Sequence, residues 1–320
     1  MIKVQNLVKA FGMRLAVDGV SFAVERGEVL GFLGPNGAGK STTMRMITGF
    51  IPPTSGTVSV GGFDVGENPI PARRLIGYLP ENAPAYTDMT VQGFLNFAAE
   101  IRGLRGDARK KAVRRVVEMC FLDTVLHQSV ETLSKGYRHR TCFAQSIIHD
   151  PDVLILDEPT DGLDPNQKHE VRGLIRRMGA SKAIIFSTHI LDEVDAVCSR
   201  AIIIDRGKIV ANGSPRELRR KSDLAGAVTV RVNGVSAAAL NQRLAQIPIA
   251  ERTTILNEEA GSVAARVFPK PEANGALARS IAETMQGWRI EELHTEEGRL
   301  DDVFRNITMP DTVRVAEGKK

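Results

Sequence analysis

The sequence predicts an α/β fold, with helices flanking a buried and mostly parallel β-sheet and a small α+β unit after it. Three observations carry that expectation. Apolar runs of strand length at residues 153–156, 183–186 and 201–204 alternate with polar segments of helical character, as in strands covered on both faces. A glycine-rich loop at residues 34–39 stands between an apolar strand (29–33) and a helical segment beginning at Thr42. Near residues 221–223 the character changes, and residues 226–308 read strand, helix, strand, strand, helix, strand and a last short helix, an order compatible with a split-βαβ sandwich.

Along the chain, the first thirty residues read as short strands at 2–4, 16–24 and 29–33, with turn residues at Gly19, Gly27 and Gly34 breaking them. The helix from Thr42 stops at Pro52-Pro53, and a strand pair is expected around 56–60 and 74–79. Between Asp88 and Cys120 apolar residues recur three or four apart (Val91, Phe94, Leu95, Ala98, Ile101) against a basic face, the signature of amphipathic helices. The expected organisation is a main domain over residues 1–222 with a helical subdomain at about 84–140. A small accessory domain over 226–308 and a polar, fraying tail at 309–320 follow.

Composition narrows the classes. Of 320 residues, 42% are hydrophobic and 25% charged, ordinary for a folded globular protein. A net charge of +4, with no block of five or six like charges, gives nucleic-acid binding no support. Cys120, Cys142 and Cys198 are odd in number and form no CxxC pair, which argues against a disulfide framework or zinc site and fits a reducing cytosol. No apolar run approaches the ~18 residues of a spanning helix, and the N-terminus lacks the apolar core of a signal peptide. The expectation is a chain that does not cross a membrane by itself.

The loop Gly34-Pro35-Asn36-Gly37-Ala38-Gly39-Lys40-Ser41 satisfies the phosphate-loop pattern GxxxxGK[ST]. Its glycines let successive amide N–H groups turn inward as an anion cradle. Lys40 adds a charge for the β and γ phosphates, and the Ser41 hydroxyl can coordinate Mg²⁺. In Val153-Leu154-Ile155-Leu156-Asp157-Glu158-Pro159 a buried strand ends in two carboxylates, at the edge where open α/β sheets place their ligands. Phosphoryl transfer needs positioning and charge neutralisation, so Asp157 suits Mg²⁺ and Glu158 suits orienting and deprotonating a water. Leu133-Ser134-Lys135-Gly136-Tyr137 precedes a helical run, so Ser134 and the amides near Gly136 would cap a helix and face anionic phosphate.

With these motifs in this order and spacing, residues 1 to about 220 resemble the ATPase subunits of ABC (ATP-binding-cassette) transporters. The resemblance implies a P-loop NTPase (RecA-like) core with an N-terminal antiparallel β-subdomain and an inserted helical subdomain. It implies ATP and Mg²⁺ as cofactors. Phe11 matches the aromatic that stacks on adenine, although a half-buried strand residue is a serious rival reading. Residues 34–42, through Thr42, match Walker A, Asp157 and Glu158 Walker B, and residues 133–137 the signature; Asp164 ends the D-loop in Gly162-Leu163-Asp164. His189 matches the switch histidine at the γ-phosphate.

Two departures stand out. Lys135 and Tyr137 replace the second glycine and the glutamine of the usual LSGGQ signature, while the nucleotide-touching Ser134 and Gly136 are kept. Glu81 occupies the Q-loop position, where it can still ligate Mg²⁺ or its water but brings an extra negative charge. The stretches YLPENAPAYTDMTV and LSKGYRHR, and the ending around Leu300-Asp301-Asp302-Val303-Phe304, resemble exporter ATPases of the ABC-2 and gliding-motility-associated kind. The resemblance further implies a head-to-tail homodimer or heterodimer of cassettes, and integral membrane transporter subunits as partners. The location it implies is cytoplasmic, on the inner face of the cell membrane. A groove for the membrane partner is expected around Tyr86, Met89, Phe94 and Phe97. The rival readings are a soluble ABC ATPase acting on ribosomes or DNA, and a non-catalytic cassette; intact Lys40, Asp157, Glu158 and His189 argue against the second.

Overall fold

Strand β1 (Ile2–Phe11) opens an antiparallel sheet, pairing on one side with β2 (Arg14–Val24) and on the other with β4 (Ser55–Val60), which in turn pairs with β5 (Phe63–Asp64). These elements belong to a computed structural model that describes residues 1–82, 84–259, 261–273 and 275–308. β1 is far longer than the three residues its alternation suggests. Asn6 adopts φ +47° and donates its N–H to the Ser21 hydroxyl at 2.7 Å, so the register shifts after Val4 and hides the strand's continuation. Gly19, expected to break a strand, sits inside β2 at φ +69°.

The second sheet has six strands in the order β10-β9-β3-β8-β7-β6. They are β3 (Val29–Leu33), β6 (Ile76–Leu79), β7 (Val153–Asp157), β8 (Ala183–Thr188), β9 (Arg200–Asp205) and β10 (Lys208–Gly213). All neighbours pair in parallel except β9 with β10. β3, β7 and β8 are buried at every residue, which is why their sequences show no alternation. Each large side chain so buried, such as Leu30, Phe32, Leu154 or Phe186, contributes roughly 1.5–3 kcal/mol. The expected strand pair around 56–60 and 74–79 does not form. A helix, α2 (Pro69–Arg74), intervenes; β4 joins the antiparallel sheet and β6 pairs with β7 in the parallel one.

Helix α1 (Lys40–Ile47) follows the glycine-rich loop. Helices α3 (Val91–Ile101), α4 (Gly106–Met119) and α5 (Lys135–Ile147) form the helical insertion between β6 and β7. α3 starts where the Thr90 side chain accepts from Gly93 N–H at 3.0 Å and buries Val91, Phe94, Leu95 and Ala98 on one face. α6 (Pro165–Gly179) begins with the Asp164 carboxylate accepting from Gln167 N–H at 2.9 Å, and α7 (Leu191–Val197) links β8 to β9.

The chain divides between Pro215 and Arg216, within a short helix, α8 (Pro215–Arg219). The second unit contains β11 (Val228–Asn233), α9 (Ala237–Leu244), β12 (Ala250–Glu259), β13 (Ser262–Pro269), α10 (Leu277–Thr284), β14 (Arg289–Thr295) and α11 (Leu300–Thr308). Its antiparallel sheet runs β12-β13-β11-β14. Val228, Val230 and Val232 alternate onto the face covered by Leu240, Leu244, Leu277 and Ile281 of the two helices. The expected tail at 309–320 lies outside the described residues.

Candidate active site

β3 carries the chain into the glycine-rich loop, and α1 carries it away. Side chains have no room at two of its glycines. A Cβ on Gly34 would stand 2.4 Å from the Ile204 carbonyl oxygen, and one on Gly39 2.5 Å from that of Ala16. Gly39 also caps α1 at φ +107°, a conformation glycine adopts without strain. Lys40, only 7% exposed, folds back across the loop: its Nζ donates to the Gly34 carbonyl at 2.7 Å and lies 3.9 Å from Glu158 Oε1.

β7 supplies the two carboxylates. Asp157 is buried, and its Oδ1 accepts from Ser187 Oγ at 2.5 Å; the same Oγ accepts from Glu158 N–H at 3.0 Å. Glu158 adopts φ +51°, a left-handed conformation that costs a non-glycine residue about 1–3 kcal/mol and concentrates at functional sites. Its Oε2 lies 3.0 Å from Nδ1 of His189, the residue that follows β8. Because β3, β8 and β7 are adjacent and parallel, their carboxyl ends bring Lys40, His189 and Glu158 to one edge. Burial pushes the Glu158 carboxyl above the usual carboxylate range, against the opposing pull of the His189 hydrogen bond and the Lys40 charge.

A cavity of about 620 Å³ opens here, lined by Phe11, Pro35, Asn36, Gly37, Gly39, Lys40, Ser41, Thr42, Glu81, Glu158 and His189 among the expected residues. Phe11 ends β1 with about half its surface exposed, at the cavity wall, which leaves both the adenine-stacking and the half-buried strand reading in place. Gly34, Ala38 and Asp157 sit beneath the lining rather than in it. Arg14, Ala16 and Asp161 also line the cavity and escape sequence reasoning. Arg14 and Ala16 follow a hairpin turn hidden by the irregular register of β1 and β2, and Asp161 carried no signal beyond lying four residues after Asp157.

The signature residues lie elsewhere. Ser134 caps α5, accepting from Tyr137 N–H at 3.4 Å, and Gly136 backs onto Gln167, whose Oε1 would lie 2.3 Å from an added Cβ. Ser134, Gly136 and Asp164 do not line the cavity of their own chain. Lys135 bonds Asp161 Oδ2 at 3.0 Å and holds that carboxyl below its usual range.

Comparison with known proteins places the chain in a family. A family model described as "ABC transporter" matches residues 17–161. Nod factor export ATP-binding protein I of Ralstonia nicotianae is 36% identical over 311 residues, covering 96% of this chain and 94% of that protein. Linearmycin resistance ATP-binding protein LnrL of Bacillus subtilis is 34% identical, covering 75% of this chain and 78% of that protein. A solved ATP-binding subunit of an ABC transporter superposes with TM-score 0.65 at 29% identity, covering 69% of this chain and 92% of its own. The chain belongs to the ATP-binding subunits of ABC transporters.

Proposed function

We propose that this chain hydrolyses ATP to drive export through separate integral membrane subunits, working as a pair of cassettes. The observation that carries the reading is the convergence of Lys40, Glu158 and His189 on the mouth of the glycine-rich loop. Phe11 stacks on adenine, while the loop amides and Lys40 hold the phosphates. Ser41, Glu81 and Asp157 are all oxygen donors, which fits Mg²⁺. Among the described residues no cluster of three or more His, Cys, Asp or Glu could hold a metal alone, so phosphate oxygens would complete its shell. When bound, the ion neutralises charge developing on the phosphates.

Glu158 takes the proton of the attacking water. Its raised affinity for a proton makes it a stronger base than an ordinary carboxylate. His189 holds Glu158 through Nδ1 and meets the γ-phosphate with its exposed edge. Ser134 and Gly136 serve the nucleotide of the other cassette, a role supported by their absence from the cavity of their own chain.

The export direction is supported by relatives named for Nod factor export and linearmycin resistance. No helix of the described residues is long and apolar enough to cross a membrane, so the transport path would belong to partner chains. A groove of about 1030 Å³ suits such a partner: exposed Phe50, Ile70 and Ile101 line it beside Arg73, Arg74 and Arg102. That lining matches an amphipathic helix with an acidic face. Tyr86, Met89, Phe94 and Phe97 do not line it; Phe94 is buried and Tyr86 packs edge-on against Phe97 with centroids 5.2 Å apart.

The test has two arms. The full-length chain should hydrolyse ATP, and Glu158→Gln should abolish turnover while keeping ATP binding. A tagged chain recovered from detergent-solubilised membranes should bring a multi-span membrane protein with it. Recovery of ribosomal or DNA-bound proteins alone would leave the ATPase and overturn the transporter.

A further inference from the structure

Beneath the cavity lies a carboxylate that the chemistry above does not use. Glu193, on α7, is fully buried. Its Oε1 accepts from the Thr160 hydroxyl at 2.5 Å and from the Arg172 guanidinium at 3.0 Å, and its Oε2 accepts from the Thr188 hydroxyl at 2.8 Å. Thr160 and Thr188 are buried as well. A carboxylate withdrawn from water is costly unless it is paired and fully hydrogen-bonded. Here both requirements are met, by donors whose positions are informative.

Thr160 lies two residues after Glu158, on the chain leaving β7, and Thr188 immediately precedes His189, at the end of β8. A single carboxylate therefore ties together the two strand ends that carry the base and the histidine. The Thr188 hydroxyl is engaged on its other side too, accepting from Ile190 N–H at 3.0 Å, while Glu193 N–H donates to the Ile190 carbonyl at 3.2 Å. His189 is thus gripped on both sides of its own position. Arg172, on α6, balances the charge of Glu193.

We propose that Glu193 is a positioning residue for ATP hydrolysis: by holding the Thr160 and Thr188 hydroxyls, it sets the contact between Glu158 and His189 at the cavity mouth. The proposal rests on the roles given above to those two residues. Glu193→Gln keeps the shape of the side chain but converts one of its two acceptor oxygens into a donor. The binding surface for ATP, made by the loop and Lys40, is untouched.

The test compares the full-length wild type with Glu193→Gln, Thr160→Val, Thr188→Val and the triple variant. In Glu193→Gln, kcat should fall on the order of 10–100-fold, the scale of losses from misplaced catalytic groups, with KM for ATP near wild type. The triple variant should lose no more than Glu193→Gln alone, since residues acting as one unit are not additive. The His189 ring resonances, assigned with His189→Gln, should move in Glu193→Gln; this readout needs no turnover, so an inactive wild type would refute the function reading alone. Unchanged kcat, losses that multiply across the variants, or unmoved His189 resonances would overturn the proposal. If Glu193→Gln does not fold, the two valine variants, each close in volume to threonine, carry the same comparison.

Discussion

Replacing Ser187 with alanine tests how the catalytic strand end is held. The Ser187 hydroxyl makes two buried contacts at once, donating to Asp157 Oδ1 at 2.5 Å and accepting from Glu158 N–H at 3.0 Å. The first is charge-assisted and is worth about 1.5–3 kcal/mol. The second loses less, because Glu158 N–H also reaches the Ser187 carbonyl at 3.2 Å. The loss is therefore about 2–3 kcal/mol, and for a unit of this size it should lower Tm by about 5–10 °C. Calorimetry of the full-length chain measures it, and the transition to follow is that of the larger unit. Turnover should fall further than stability implies, because the left-handed backbone at Glu158 persists only while its surroundings over-determine it. An alanine variant with wild-type Tm and turnover would refute this account of the strand end.

Three other outcomes follow from the same geometry. Lys40→Ala should lose ATP binding in a fluorescence titration, since Nζ is the buried cation folded across the glycine-rich loop; wild-type affinity would defeat the phosphate-loop reading. His139 is buried, neither ring nitrogen has a hydrogen-bond partner among the described residues, and burial pushes its pKa from 6.5 down to about 4. A depressed value means the neutral ring is favoured on folding. That stability is complete above the unfolded value of 6.5 and is lost as pH falls toward 4, by about 2 kcal/mol at pH 5. Urea midpoints at pH 7 and pH 5 should differ accordingly, and His139→Gln should narrow the difference. Phe50→Glu, in the basic groove, should weaken recovery of the membrane partner while leaving ATP turnover intact.

Much of the fold was legible because its central strands are buried on both faces, so β3, β7 and β8 stand out as unbroken apolar runs. The glycine-rich loop was legible for a related reason: two of its glycines face backbone oxygens too close for any side chain, and such positions leave a fixed spacing in the sequence. β2 was read nearly entire at 16–24, but most of β1 was not, because the irregular register after Val4 and around Asn6 breaks the alternation on which strand recognition rests. α2 was missed because it is a six-residue helix begun by prolines, too short to show a period. The site divides in the same way. Lys40, Ser41, Asp157 and Glu158 stand out by type and spacing and His189 by the family resemblance, and the structure brings Lys40, Ser41, Glu158 and His189 to one cavity. Asp161 and Glu193 bond partners distant in sequence, Lys135 and Thr160, and nothing local marks either of them or Arg14.

The central claim is that two copies of this site close on ATP and reopen after hydrolysis. Light scattering of Glu158→Gln with Mg-ATP tests it most directly, because that variant should bind nucleotide and stop before turnover. A stable dimer with ATP, dissolving to monomers when ADP replaces it, is the expected result; a monomer under both conditions, with ATP bound, would contradict the paired-cassette account.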